Sequence, residues 1–248
     1  MLIYECSTGK TLDIHSTDNF LSPPQVRWSL PQSLPGALLY STSFDPTRLA
    51  DEAFAHYAVE QPASIQRAAV KRRAEFLAGR LCARAGIAHL TGRGETPGLG
   101  ESRAPVWPAG LCGSITHAGG CAAAIVSRCA DWRGLGLDIE NLLGEEQAIQ
   151  LAAEILTPRE LRRLAPQEVA FGVTLTFSLK ESLFKALYPL TGKYFYFEHA
   201  ELLEWGADGH ARLRLLTDLS AEWCSGRELD GQFDLEDGHL ISLVAVPT

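Results

Sequence analysis

Two short segments constrain this chain more than any others: GLGLDIE, Gly134–Glu140, and FSLKESLFK, Phe177–Lys185. Read as a strand, the first sets Asp138 and Glu140 on one face by alternation, and read as a helix, the second stacks Ser178, Glu181 and Lys185 along one stripe. A fold that uses both must make a strand and a helix meet although Glu181 follows Asp138 by 43 positions. Three acids and a lysine then converge on one divalent metal and one phosphate, the outline of a phosphoryl-transfer site.

Neither segment is specific alone. Carboxylates two residues apart on a strand root hard oxygen donors about 7 Å from each other, which suits Mg²⁺ but also describes a solvated strand edge. Glu181 and Lys185, at i and i+4 on an otherwise apolar helix, also match a surface ion pair worth about 0.3–0.5 kcal/mol. Lys180 lies off their stripe and is read as that ordinary pair. His117 closes GSITH before a glycine-rich turn and is open to a phosphate, although a strand-end histidine bonded to backbone is the commoner use.

The formal charge of −8 argues against nucleic acid or an anionic membrane as partner, so an anionic ligand needs a local basic patch. One exists: Arg67, Lys71, Arg72, Arg73, Arg80 and Arg84 face a single acid, Glu75, in a segment that reads as a helix opened by Pro62 and closed around Gly86. Helical spacing groups Arg73, Arg80 and Arg84 on one face. No window approaches the roughly 20 apolar residues of a membrane span, and MLIYECSTGK lacks the plan of a signal peptide, so a cytoplasmic protein is expected. The six cysteines form no CxxC pair, which argues against a zinc site and a disulfide framework and leaves small buried thiols.

Prolines interrupt residues 1–60, where only LPGALLYSTSF approaches a strand. TGRGETPGLGESRAPVWP reads as a surface loop. GSIT and CAAAIVS form two strands joined by His117–Gly120, and RGLGLDIE a third. EEQAIQLAAEIL is helical, TPRE is a capping box of Thr157, Pro158 and Glu160, and a long helix runs from about Gln167 to Tyr188, ended before Pro189. AELLEW, ARLRLL, ELDGQFDL and HLISLVAV are strands, with Asp208–Gly209 and Asp237–Gly238 as hairpin turns. The class is α+β, with one long helix per half, no residue-level repeat and a boundary near Ala130–Arg133.

Four stretches, in order, carry a family resemblance: RRAEFLAGRLCAR (Arg72–Arg84), RAPVWPAGLCGSITH (Arg103–His117), GLGLDIE and FSLKESLFK. With them the chain resembles the Sfp-type 4′-phosphopantetheinyl transferases, and among these the subgroup of the enterobactin-synthetase and mycobacterial enzymes. The resemblance implies two similar α+β halves in a pseudo-twofold arrangement, residues 1–132 and 133–248, with coenzyme A between them. It implies transfer of phosphopantetheine from coenzyme A to a serine of an apo acyl or peptidyl carrier protein, releasing adenosine 3′,5′-bisphosphate.

Carried onto this sequence, Asp138, Glu140 and Glu181 would hold Mg²⁺, and Glu181 or a metal-bound water would take the serine proton. Lys185 would steady the pyrophosphate and could protonate the leaving group. His117, Arg80 and Arg103, with Arg72, would bind the adenosine bisphosphate end and its 3′-phosphate, with Thr116 beside them. Phe177 stands where tryptophan is common and Thr116 where serine is. A monomer is expected, and the carrier, whether of siderophore, fatty-acid, polyketide or other peptide assembly, is left open. Rival readings are a Mg²⁺-dependent phosphodiesterase, a serine hydrolase of Ser114, His117 and Asp138, and a carrier- or coenzyme A-binding module without chemistry.

Overall fold

The order of strands and helices divides the chain into two halves built on one plan. A computed structural model describes residues 20–100 and 103–248; Cys6 and the N-terminal MLIYECSTGK lie outside the described residues. The first half holds β1 (Gln25–Val26), β2 (Leu38–Ser43), the short helices α1 (Ala53–His56) and α2 (Ala63–Gln66), and the long helix α3 (Val70–Thr91). A small ladder of β3 (Gly98–Leu99) with β4 (Pro105–Val106) and the hairpin β5 (Leu111–Ala118) to β6 (Cys121–Arg128) complete it. The second half holds β7 (Trp132–Asn141), α4 (Glu145–Ile155), α5 (Pro158–Arg163) and the long helix α6 (Val169–Thr191). Four strands close it: β8 (Ala200–Trp205), β9 (His210–Leu215), β10 (Glu228–Glu236) and β11 (His239–Pro247).

Both main sheets are antiparallel, in the orders β1-β2-β6-β5 and β7-β11-β10-β9-β8. In each half a strand leads to a long helix and then to a hairpin whose second strand returns beside the leading strand. The triplets β2-β6-β5 and β7-β11-β10 therefore correspond, which makes the repeat one of topology.

Alternation along the strands assigns the layers. Leu39, Ala123 and Ile125 of the first sheet meet Leu135, Leu137, Ile139, Ile241 and Leu243 of the second in a shared apolar core. The other face of the second sheet, with Leu240, Val244 and Val246, packs under Leu175, Leu179, Leu183 and Leu187 of α6. On the first sheet Ala122, Ala124 and Val126 face α3. The two long helices thus lie outside the paired sheets.

The capping box forms as the sequence predicts: Thr157 accepts from the Glu160 N–H and Glu160 from the Thr157 N–H. Asp237 and Gly238, at φ of 51° and 78°, supply the two left-handed residues of a tight hairpin turn. Three predicted helix ends move. The basic helix expected to open at Pro62 is interrupted: Pro62 caps the short α2, and α3 begins at Val70. Gly86 lies inside α3, where an added methyl would press on Val126; it serves close packing on β6, and the helix runs on to Gly92. Pro189 lies inside the last turn of α6, which ends at Gly192 with its N–H on the Tyr188 carbonyl. A proline so near the C-terminus removes little of the helix ladder, and the apolar seat under Leu183, Ala186 and Leu187 keeps the turn. The thiols also differ from expectation: Cys82 is buried, but Cys129 and Cys224 are exposed. Among the described residues no helix is long and apolar enough to cross a membrane.

Glycine at 136 is required by contact: a methyl group there would overlap the Ser182 carbonyl oxygen and the Ala186 nitrogen. Gly136→Ala is expected to lower stability by about 1–3 kcal/mol or more, as overpacking does, read as the shift of a denaturant midpoint. Gly94→Ala, whose new methyl would meet only ordinary contacts with Arg84, is the control and is expected to stay within about 0.5 kcal/mol.

Candidate active site

The strand and the helix named at the outset do meet. Residues 134, 136, 138 and 140 of β7 share the face turned to α6, while Leu135, Leu137 and Ile139 point into the core between the sheets. Gly134 and Gly136 have no side chain, so the backbone of α6 at Ser182 and Ala186 settles directly on the strand. Asp138 and Glu140, next along the same face, are then carried to Glu181 and Lys185. Lys185 Nζ donates to Asp138 Oδ1 at 2.6 Å and to the Leu137 carbonyl at 3.1 Å.

The acids are held against their mutual repulsion. Burial first, then the charge of Asp138, pushes the Glu140 carboxyl up to about 7. Burial also raises Glu181, with Lys185 opposing. Asp138 is almost wholly buried, and its Oδ2 has no hydrogen-bond partner. An orphaned carboxylate oxygen beside two raised carboxyls is a donor set of hard oxygens that suits a divalent cation such as Mg²⁺. Among the described residues no three such side chains are already gathered tightly enough to enclose a metal ion.

His117 lies close enough to Lys185 and Asp138 to feel their charges. Arg72 Nη1 donates to its Nε2 at 2.5 Å, and Glu75 Oε2 lies 3.5 Å from its Nδ1. Burial lowers the imidazole pKa, helped by Arg72 and Lys185, while Glu75 and Asp138 act against it. Arg103, in a left-handed conformation at φ 65°, lines a cleft of about 410 Å³. Trp107, Ile115, Phe184, Tyr188 and Tyr194 form its apolar walls, and Glu181 and Lys185 reach into it.

Other residues of the basic helix and its neighbours also make structural contacts. Arg80 is buried, donates to the Gly98 carbonyl and lies 4.5 Å from the Phe76 ring centre; burial brings its pKa down to about 10. Arg73, grouped with it by helical spacing, approaches Asp51, and Arg84 binds Thr96 and the carbonyls of Tyr57 and Ala58. It is Arg72 that joins His117. Thr116, expected beside the ligand, points to the opposite side of β5 from His117; its buried hydroxyl accepts the Ile139 N–H and lies 3.4 Å from Asp138 Oδ1. That opposition also removes the hydrolase triad, since Ser114 shares the Thr116 face and donates to the Leu137 carbonyl.

Ser178, on the stripe with Glu181, is fully buried and bonded to Ser242. Lys180, expected in a surface pair, is buried: its ammonium donates to Glu160 and to the carbonyls of Ile155 and Phe197. The sequence reading missed Glu75 and the aromatic wall; Phe184 and Tyr188 at i and i+4 were the available signal for the latter.

Comparison with known families matches two segments of the chain. Residues 60–127 match the 4′-phosphopantetheinyl transferase N-terminal domain, and residues 134–244 match the 4′-phosphopantetheinyl transferase superfamily. The chain belongs to that superfamily. Enterobactin synthase component D of Escherichia coli K12 is 41% identical over 161 residues, covering 62% of this chain and 73% of that protein. The 4′-phosphopantetheinyl transferase Svp of Streptomyces mobaraensis is 37% identical over 195 residues, 75% of this chain and 77% of the relative. Npt of Nocardia iowensis is 30% identical over 193 residues, 73% and 85% of the two chains. The two matched segments hold Arg72 and His117 in the first and Asp138, Glu140, Glu181 and Lys185 in the second, and the chain is a phosphopantetheinyl transferase of the enterobactin-synthetase type.

The raised carboxyl of Glu140 ties stability to pH. Below the unfolded value near 4.5 both states hold the proton; between there and about 7 only the folded state does, so the stabilisation is lost as pH rises through this window. In the metal-free protein Glu140→Gln is expected to raise the melting temperature above pH 7 and leave it unchanged near pH 4, read by calorimetry across pH.

Proposed function

We propose that the protein transfers 4′-phosphopantetheine from coenzyme A to a serine of an apo acyl or peptidyl carrier protein, the reaction of holo-carrier synthases, with Mg²⁺ as cofactor. The observation that carries this reading is the meeting of Asp138, Glu140, Glu181 and Lys185 at one end of an apolar cleft that Arg103 also lines. The cleft suits the uncharged pantetheine arm, and the cationic groups suit its pyrophosphate. Arg72 and His117 stand beside this end and would take the 3′-phosphate.

Asp138, Glu140 and Glu181 would hold the metal, which neutralises charge gathering on the leaving bisphosphate. The serine oxygen bonds to the phosphorus next to pantetheine, and the bond from that phosphorus to the bridging oxygen breaks, releasing adenosine 3′,5′-bisphosphate. Glu181, its carboxyl raised by burial, is the side chain this site offers to accept the serine proton. Lys185 is placed to meet the charge on the departing oxygen. The aromatic and aliphatic walls exclude water, which favours transfer to serine over hydrolysis. The exposed Leu142 and Ile149 on and before α4, just past the metal strand, offer an apolar landing for the carrier. The names of the enterobactin relatives favour carriers of siderophore assembly. We place the protein in the cytoplasm as a monomer.

Incubation with Mg²⁺, coenzyme A and a panel of apo carriers is expected to add one phosphopantetheine to a carrier, read by intact mass. Addition to none would overturn the proposal, and coenzyme A cleavage without carrier would show hydrolysis instead. Glu181→Gln is expected to cut transfer by about 100-fold or more, as loss of a general base does, while coenzyme A still binds. Unimpaired turnover would remove Glu181 from the mechanism.

A further inference from the structure

Glu75 is the one acid of α3, it stands beside His117, and the transfer reaction gives it no part. Its side chain is 14% exposed, and its Oε2 lies 3.5 Å from both Arg72 Nη1 and His117 Nδ1. A guanidinium has only donors, so the 2.5 Å contact of Arg72 Nη1 with His117 Nε2 makes Nε2 the lone-pair nitrogen. The proton of the neutral ring is then on Nδ1, turned toward Glu75.

That tautomer cannot serve a phosphate as it stands, because a lone pair at Nε2 repels phosphate oxygens. With Nδ1 keeping its proton against the Glu75 carboxylate, the ring becomes a donor at Nε2 by taking a second proton. Burial opposes this, and so do the cations that face the ring, Arg72 from α3 and Lys185 from α6; Asp138 of β7 and Glu75 are the acids in its favour. Asp138 is engaged by Lys185, which leaves Glu75 as the acid placed on the far nitrogen.

We infer that Glu75 is the positioning residue of the phosphate subsite: it holds His117 by Nδ1–H, keeps Nε2 at the cleft, and balances the charge when His117 becomes a phosphate donor. On ligand binding the dianion draws Arg72 off Nε2 and onto itself, and a proton from solvent fills Nε2. This inference rests on the reading of His117 and Arg72 as ligands of the 3′-phosphate. An opposite charge within about 4–6 Å shifts a pKa by about 1–3 units, so loss of Glu75 costs the imidazolium about tenfold or more in population.

The test compares coenzyme A with 3′-dephospho-coenzyme A as donors to one apo carrier. In the native protein kcat/KM is expected to favour coenzyme A. Glu75→Gln is expected to reduce that preference about tenfold through KM, with kcat and the dephospho-donor little changed, and to move its loss with rising pH to lower pH. Glu75→Asp, which keeps the charge, is expected to restore part of it, and in a His117→Ala background Glu75→Gln is expected to have no further effect. A preference unchanged in Glu75→Gln, or an equal loss with both donors, overturns the inference. Absence of any preference in the native protein overturns instead the phosphate reading on which it rests. Should Glu75→Gln not fold, calorimetry of adenosine 3′,5′-bisphosphate binding to the native protein in buffers of different ionisation enthalpy decides: proton uptake near neutral pH is expected, and none overturns the inference.

Discussion

The contact on which the rest depends is that of the α6 backbone with the β7 backbone. Side chains ordinarily hold a helix and a sheet apart, and here glycine at 134 and 136 removes them, so Ser182 and Ala186 rest on the strand itself. The close approach fixes the rotation of the helix as well as its distance. Ser182 and Ala186 must face the strand, and Glu181 and Lys185, each one residue earlier, are then turned to the edge where Asp138 and Glu140 emerge. A looser seat would leave the helix free to roll and the acids free to separate. The site is therefore held by main chain, and repulsion among its carboxyls cannot relax it.

Two lysines five residues apart on α6 show how burial divides structure from function. Lys180 places its ammonium on three acceptors, Glu160 and the carbonyls of Ile155 and Phe197, and Glu160 in turn accepts the N–H groups of Thr157 and Leu202. Each buried charge there is answered, and the network ties α4, α5 and the start of β8 to α6. Breaking such a pair is costly because the survivor stays buried and alone. Lys185 is partly exposed, its partner Asp138 has an oxygen with no bond, and the carboxyls nearby are raised. Asp138 Oδ2 is thus an unsatisfied acceptor that a ligand at this site would complete.

Much of this was legible in the sequence because it is periodic or local. Alternation in GLGLDIE and helical spacing in FSLKESLFK placed the acids and Lys185 correctly, and the capping box and Asp-Gly turns are chemistry of adjacent residues. What was not legible depends on contacts between distant segments. Gly86 and Pro189 carry the local signature of helix ends, but packing on β6 and the apolar seat of α6 override it. Arg73 and Arg84 share a helical face with Arg80, yet Asp51, Thr96 and the Tyr57 carbonyl, none of them near in sequence, claim their charges. Thr116 and His117 are neighbours in one motif but lie on opposite sides of a strand, so one braces Asp138 and the other meets Arg72 and Glu75.

The same comparison explains why the halves match in topology without matching in residues. Each half must seat a long helix closely on its sheet, and closeness can come from either partner. In the second half the strand gives way, with Gly134 and Gly136 under Ser182 and Ala186. In the first half the helix gives way, with Gly79 against Ile115 and Gly86 against Val126. The equivalent helix-to-sheet contact is thus encoded on opposite sides. The exchange has a functional consequence. A glycine-bearing strand leaves its next two even positions free for carboxylates beside the helix, whereas a glycine-bearing helix leaves its exposed positions for cations. Asp138 and Glu140 belong to β7 and Arg72, bonded to His117, to α3, so one shared plan sets carboxylates on one half and a cation on the other.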